Sequence, residues 1–208
     1  MTPEEVRSLG LGEHMKAISF LSCALMLCVA SVALSQSEMR KAEGQKADAQ
    51  ETSAQAAFAR MKTLAGNWKG TAAMGAGPGA MSAPVRVTMR VTSGGDALLH
   101  EMVPEGRAAD PSNGDDDPLT MMYIEGDRLM LTHYCDSGKN RPRMVGTLSP
   151  DGKTVEFDFL DVSGGTKYGH MHHAVFTIID ADHHTEDWTY MSPEGKADHA
   201  HIDLVRVK

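Results

Sequence analysis

The sequence predicts an all-β protein: a single up-and-down antiparallel β-barrel of about ten strands, entered through one short N-terminal helix. Three observations predict it. From Asn67 onward the chain breaks into ten strand-sized runs, at 67–74, 83–92, 97–103, 119–125, 128–135, 143–148, 154–160, 170–180, 184–191 and 198–207. Most gaps between them are short and carry hairpin chemistry, as in Ser93-Gly94-Gly95-Asp96, Glu125-Gly126-Asp127, Ser149-Pro150-Asp151-Gly152-Lys153, Asp180-Ala181-Asp182 and Ser192-Pro193-Glu194-Gly195-Lys196. Several runs alternate apolar and polar residues, the period of a strand with one face on a core. A meander of that length curls and closes, because closure removes its exposed edges.

Taken in order, the chain opens with a segment unlike the rest. Ala17 to Leu34 is an uninterrupted run of apolar and small residues preceded by Lys16, and Ala33-Leu34-Ser35 offers a small-residue cleavage position. Residues 1–35 therefore read as a secretory signal region. About 18 apolar residues also meets the lower limit of a membrane span, but Ala30, Ser31, Ala33 and Ser35 favour cleavage. Glu4, Glu5 and Glu13 are wrong for a basic n-region, so residues 1–14 read as a start-site extension ahead of Met15. The expected location is periplasmic or extracellular, with no stable membrane association after cleavage. Residues 36–52 are polar and aperiodic, a flexible linker, and the domain proper spans 53–208.

In that domain Ala54, Ala57, Phe58, Met61 and Leu64 fall at helical spacing, with Ser53 to cap and Gly66 to end the turn. Val85, Val87, Met89 and Val91 alternate with Arg86, Thr88 and Arg90. Val155, Phe157 and Phe159 alternate with Glu156 and Asp158, and Ala200, Ile202 and Leu204 with His199, His201 and Asp203. Two stretches break the rhythm: Ala72 to Ala83, Gly- and Pro-rich, reads as a loop, and Pro104 to Pro118 as a long acidic loop. The formal net charge of −8 argues against nucleic acid or an anionic membrane as partner. Removing residues 1–35 leaves Cys135 as the one thiol, so no internal disulfide staples the fold.

Leu64 to Gly70 reads LAGNWKG, and its Gly66-Asn67-Trp68 resembles the opening of lipocalins and their calycin relatives. In that superfamily the Trp plugs one barrel end and a late basic residue packs across it. The resemblance assigns barrel closure to Trp68 and Arg206. The wider set LAGNWKG, SGGDAL, DRLMLTHYC, NRPRM, HMH and EDWT resembles a family of uncharacterised bacterial secreted proteins with a lipocalin-like domain, over residues 58–208. It implies an exported protein holding a small apolar or amphipathic ligand in a barrel cavity.

The polar residues that break the apolar strands mark the expected site. His133 and Cys135 share a face of the run Arg128 to Cys135, above Leu129 and Leu131, and Arg143 follows a short loop. His170 and His172 share a face with Phe176 and Ile178, and Glu186 and Trp188 lie in the next run. His133, Cys135, Arg143, His170, His172 and Trp188 are the expected ligand-binding set, with Arg143 as charge partner for the ligand's polar head. His183 and His184 sit beside a turn and read as solvated.

The alternative is a metal- or haem-binding barrel, or an enzyme using the His/Cys cluster. His133, His170 and His172 supply ligands for zinc or copper. Cys135 as nucleophile would need a histidine from another strand, since His133 at i−2 stands about 7 Å away along the strand. The haem-binding nitrobindins also open with Gly-x-Trp-x-Gly, here Gly66, Trp68 and Gly70, and carry a late iron-ligating His. His199 or His201 would fill that role, although alternation turns both away from Ile202 and Leu204, and a second Gly after Gly70 is missing.

Overall fold

The computed structural model describes residues 53–75, 80–107, 117–135 and 137–208. The expected signal region and linker lie outside the described residues, as does most of the acidic loop. Helix α1 covers 53–62. It buries Ala54, Ala57, Phe58 and Met61, the residues whose three- and four-residue spacing gives it an apolar side. Ten strands follow: β1 (Gly66–Met74), β2 (Met81–Thr92), β3 (Ala97–Pro104), β4 (Leu119–Glu125), β5 (Arg128–Tyr134), β6 (Arg141–Leu148), β7 (Thr154–Ser163), β8 (His170–Ile178), β9 (His183–Met191) and β10 (Ala197–Arg206). Each pairs antiparallel with its neighbours in sequence, and β1 pairs with β10 to close the barrel.

Alternation decides what faces in. Val85, Val87 and Met89 on β2, Leu129 and Leu131 on β5, Val155 and Phe157 on β7, and Ile202 and Leu204 on β10 are all buried. Residues directly opposite across a ladder share a face. Trp68 faces Val87, Leu131 faces Met122 and Met144, Phe157 faces Ala174, and Phe176 faces Val155. These rows fill the sealed half of the barrel with packed side chains.

One departure concerns Ala72 to Ala83. It is not loop throughout: β1 runs to Met74 and β2 begins at Met81, with Met74 opposite Met81. Ala72, Ala73 and Met74 also pair with β10, opposite Ile202, His201 and Ala200. Small residues of low strand propensity are held there by ladders on both sides.

The β1–β10 seam is tight. A side-chain carbon on Gly70 would come within 1.7 Å of the Asp203 carbonyl oxygen, so only glycine fits. Beyond the seam, the Arg206 guanidinium lies 4.1 Å over the Trp68 ring. Its nitrogens donate to the carbonyls of Ala65 (2.8 Å), Thr63 (3.0 Å) and Ala181 (2.9 Å). Trp68 Nε1 donates to Leu64 O at 2.8 Å. One cation thus satisfies three carbonyls, and joins the helix exit and the β8–β9 turn to the barrel end. Replacing Arg206 with Ala removes a cation–π contact of about 0.5–1 kcal/mol and hydrogen bonds of about 1 kcal/mol each. Urea denaturation should show a loss of about 3–4 kcal/mol with the m-value unchanged.

Candidate functional site

At mid-height the apolar filling gives way to a buried polar network. β9 places His184, Glu186, Trp188 and Tyr190 on one side of the strand. Glu186 is fully buried, and two strand walls supply its partners. His100, from β3 on another part of the wall, approaches with Nε2 at 3.2 and 3.1 Å from the two carboxylate oxygens. His184 Nε2 lies 3.1 Å from Oε1, and Trp188 Nε1 donates to Oε2 at 3.0 Å. Burial pushes the Glu186 carboxyl up, but the attraction of His100 and the hydrogen bonds from His100 and His184 outweigh it. The group is held well below the usual carboxylate range. An ionised carboxylate only accepts, so the imidazoles and the indole are the donors.

Above this network lies the barrel end opposite Trp68. Trp188 is its floor, 6% exposed, with the buried His133 ring 5.3 Å away. Thr120 Oγ1, directly opposite His133 on β4, is 2.9 Å from His133 Nδ1. Phe159, opposite the buried Met144, continues the inward row of β7. His170 and His172 stand against Phe159, with ring centroids at 4.7 and 4.9 Å, and His170 Nε2 is 3.1 Å from His172 Nδ1. An irregularity in β8 between Met171 and His173 lets both rings reach that phenyl. Burial, and then His172, push the His170 imidazole down. Tyr190 donates to Tyr168 O, and its phenol is raised by burial first and then by Cys135, Asp198 and Glu194.

The expected residues therefore fall into separate groups. His133 and Trp188 meet at the floor, and His170 and His172 meet on Phe159 at the rim. Cys135, half-buried, bridges to Asn140 at the same end. Arg143 does not join them. Met144, Gly146 and Leu148 form the inward row of β6, which turns Arg143 to the outer wall. There it forks onto Asp161 (2.9 and 2.7 Å) and approaches Glu125 (3.5 Å), pairings that raise its already high pKa.

His184 is not solvated either, being fully buried under Glu186 and edge-on to Trp68 at 4.2 Å. His100, Thr120 and His184 are the members that the turn and cluster patterns do not single out. Their signal is alternation: His100 sits in the row Leu98, His100, Met102, and His184 two residues before Glu186.

Side chains of metal-ligating type gather elsewhere. Among the described residues, the three His, Cys or acidic side chains whose ligand atoms gather within 4.8 Å are Glu156, Asp158 and His173, on the outer wall. His133 is not grouped there with His170 and His172. His199 and His201 face outward, hydrogen-bonded to Thr189 (3.1 Å) and Asp187 (2.7 Å). Cavities of about 400 and 270 Å³ flank helix α1, the first beside Arg206 and Ile178 and the second over Val145 to Leu148.

The fold and its polar centre define a closed ten-stranded antiparallel barrel with a buried carboxylate hub. No family model matches the chain, and no curated protein matches it. Among solved structures it is similar to Rv2717c from M. tuberculosis, with a TM-score of 0.54 at 16% identity, covering 73% of this chain and 98% of that one. A protein of unknown function from the DUF3598 family of Nostoc punctiforme has a TM-score of 0.47 at 13% identity, covering 70% of this chain and 48% of that one. At 16% identity the likeness to Rv2717c is one of fold alone.

The depressed Glu186 carboxyl makes stability depend on acid. The unfolded chain takes up this proton near pH 4.3, the folded chain only at much lower pH. The contribution is present above about pH 4.3 and is lost as the pH falls toward the folded value. Urea midpoints measured from pH 6 to pH 3 should fall steeply for the native protein. The Glu186→Gln variant should start lower, by about 3 kcal/mol for a broken buried network, and show a flatter acid limb.

Proposed function

We propose that this protein is a lipocalin-like binding module that takes a small apolar or amphipathic molecule into the barrel mouth opposite Trp68. The observation that carries this reading is the difference between the two ends. One is sealed by Trp68 and Arg206. The other presents aromatic and imidazole rings, Trp188, Phe159, His133, His170 and His172, above a floor that is almost fully buried. Ala72, Met102, Met171 and Ala200 are partly buried and packed on the core. They supply apolar surface near that floor, and methionine adapts to varied shapes. Side chains held by second partners, as Trp188 is by Glu186, keep their orientation before a ligand arrives. Export is part of the same proposal, supported by the apolar run Ala17 to Leu34 and the small residues after it.

Native mass spectrometry and metal analysis of the untagged protein test the reading. A co-purifying organic mass is the expected result, and stoichiometric zinc, copper or iron without one would favour the metal or haem alternative. His133→Phe keeps ring volume and removes the polar atoms, and should lower ligand retention at least about tenfold, or about 1.4 kcal/mol. Arg143→Ala, on the outer wall, should leave retention unchanged.

A further inference from the structure

At the helix exit, by the sealed end, hydrogen-bond acceptors are used up while donors are not. Every carbonyl from Arg60 to Ala65 is met by a donor. Arg60 O accepts from Thr63 N (3.1 Å) and Thr63 Oγ1 (2.7 Å), Met61 O from Leu64 N (3.0 Å), and Lys62 O from Ala65 N (3.1 Å). Thr63 O and Ala65 O accept from Arg206, and Leu64 O from Trp68 Nε1. Ala181 O, on the β8–β9 turn, is taken by Arg206 Nε.

The donors are in surplus. Arg60 Nε is buried and has no hydrogen-bond partner. Nη1 and Nη2 of Arg206 each donate to one carbonyl and each keep a second N–H. Both guanidiniums line the cavity of about 400 Å³ beside the helix, together with Leu64, Ile178, Asp180 and Ala181. That volume lies within the range of small-ligand sites. A buried N–H without an acceptor calls for one, and the peptide carbonyls around it are already engaged.

Charge in the cavity is mixed, and its balance is positive. Two guanidiniums and one carboxylate, Asp180, line it. Asp180 is exposed, and its Oδ1 accepts from Asp182 N at 2.8 Å within its own turn. Asp182 stands 3.5 Å from both Arg206 and Lys208, so its charge is matched. Asp180 therefore weakens the attraction for an anion without cancelling it. A guanidinium fork suits a carboxylate or a phosphate, while Leu64, Ile178 and Ala181 make the rest of the wall apolar. A carboxylate on a compact apolar body meets both conditions, and inorganic phosphate meets only the first.

We infer that this cavity, outside the barrel interior, binds a small organic anion, a carboxylate on a compact apolar body, with Arg60 as its charge partner. Benzoate is the probe, benzamide its neutral counterpart and inorganic phosphate the anion without an apolar body. Each is titrated into the full chain in about 0.15 M salt, where long-range attraction is screened. Calorimetry reads the affinity, and the Arg60 Nε–H resonance in heteronuclear NMR reads the place. Benzoate should bind one-to-one, move that resonance saturably, and bind at least about tenfold tighter than benzamide or phosphate. Arg60→Gln, at a partly exposed position, should weaken benzoate at least about tenfold with the urea midpoint near the native value. Asp180→Asn, which keeps the side-chain acceptor of its turn, should tighten benzoate severalfold. Benzamide or phosphate binding as tightly as benzoate overturns the ligand class. An absence of saturable benzoate binding, an unmoved Arg60 resonance, or unchanged affinity in Arg60→Gln overturns the site itself. The reading of the mouth then stands, because Arg60 and Asp180 take no part in it. Unchanged affinity in Asp180→Asn overturns the opposing role given to that carboxylate.

Discussion

A carboxylate with no access to water must be met by hydrogen-bond donors, and in this barrel the donors come from different strands. Glu186 draws on His100 across the interior and on His184 and Trp188 along its own strand. The geometry tolerates little error, because a lost donor leaves charge buried and unmatched. The distance from β3 to β9 at mid-height is therefore tied to hydrogen-bond length. A hydrophobic filling alone would tolerate slippage, whereas this bridge fixes both register and width. It also fixes the plane of Trp188, and so the shape of whatever surface the mouth presents.

The two ends of the barrel use the same kinds of groups for opposite purposes. At the sealed end an indole and a guanidinium are stacked, and the guanidinium donates to three carbonyls. At the other end the rings are arranged over a floor, and the polar atoms there are partnered mainly with each other. The outer wall takes a third pattern. His173, His183 and His201 each sit beside a carboxylate of a neighbouring strand, and exposed pairs of this kind add little stability. Histidine content by itself thus says little about a site. Which wall a given imidazole faces decides its role.

The strands were legible because alternation and turn chemistry are local. Val85 to Met89, Val155 to Phe159 and Ala200 to Leu204 each announce an inner face, and the described strands follow them, whereas Val91 at the end of its row is exposed. The polar centre was legible only in part. His133, Trp188, His170 and His172 interrupt apolar rows and so draw attention. Arg143 and His184 misled because each lies next to a loop or turn, where expectation follows the loop rather than the strand. Extending the rows of Met144, Gly146 and Leu148, or of Glu186 and Trp188, assigns both correctly. The meeting of His100 with Glu186, 86 residues away, has no local trace. It depends on how far the sheet curls before it closes.

The seam between the first and last strands has a consequence for the order of events in folding. Arg206 reaches a carbonyl 141 residues earlier in the chain, so the ring can be completed only after the final strand exists. Until then the growing polypeptide is an open, curling ribbon with two raw edges, and half of the hub's environment is missing. Joining such distant positions is entropically slow. During that interval the partly assembled sheet is most exposed to pairing with a neighbour instead of with itself. Losing the last few residues would do more than trim the protein: it would leave the ring permanently unhooped.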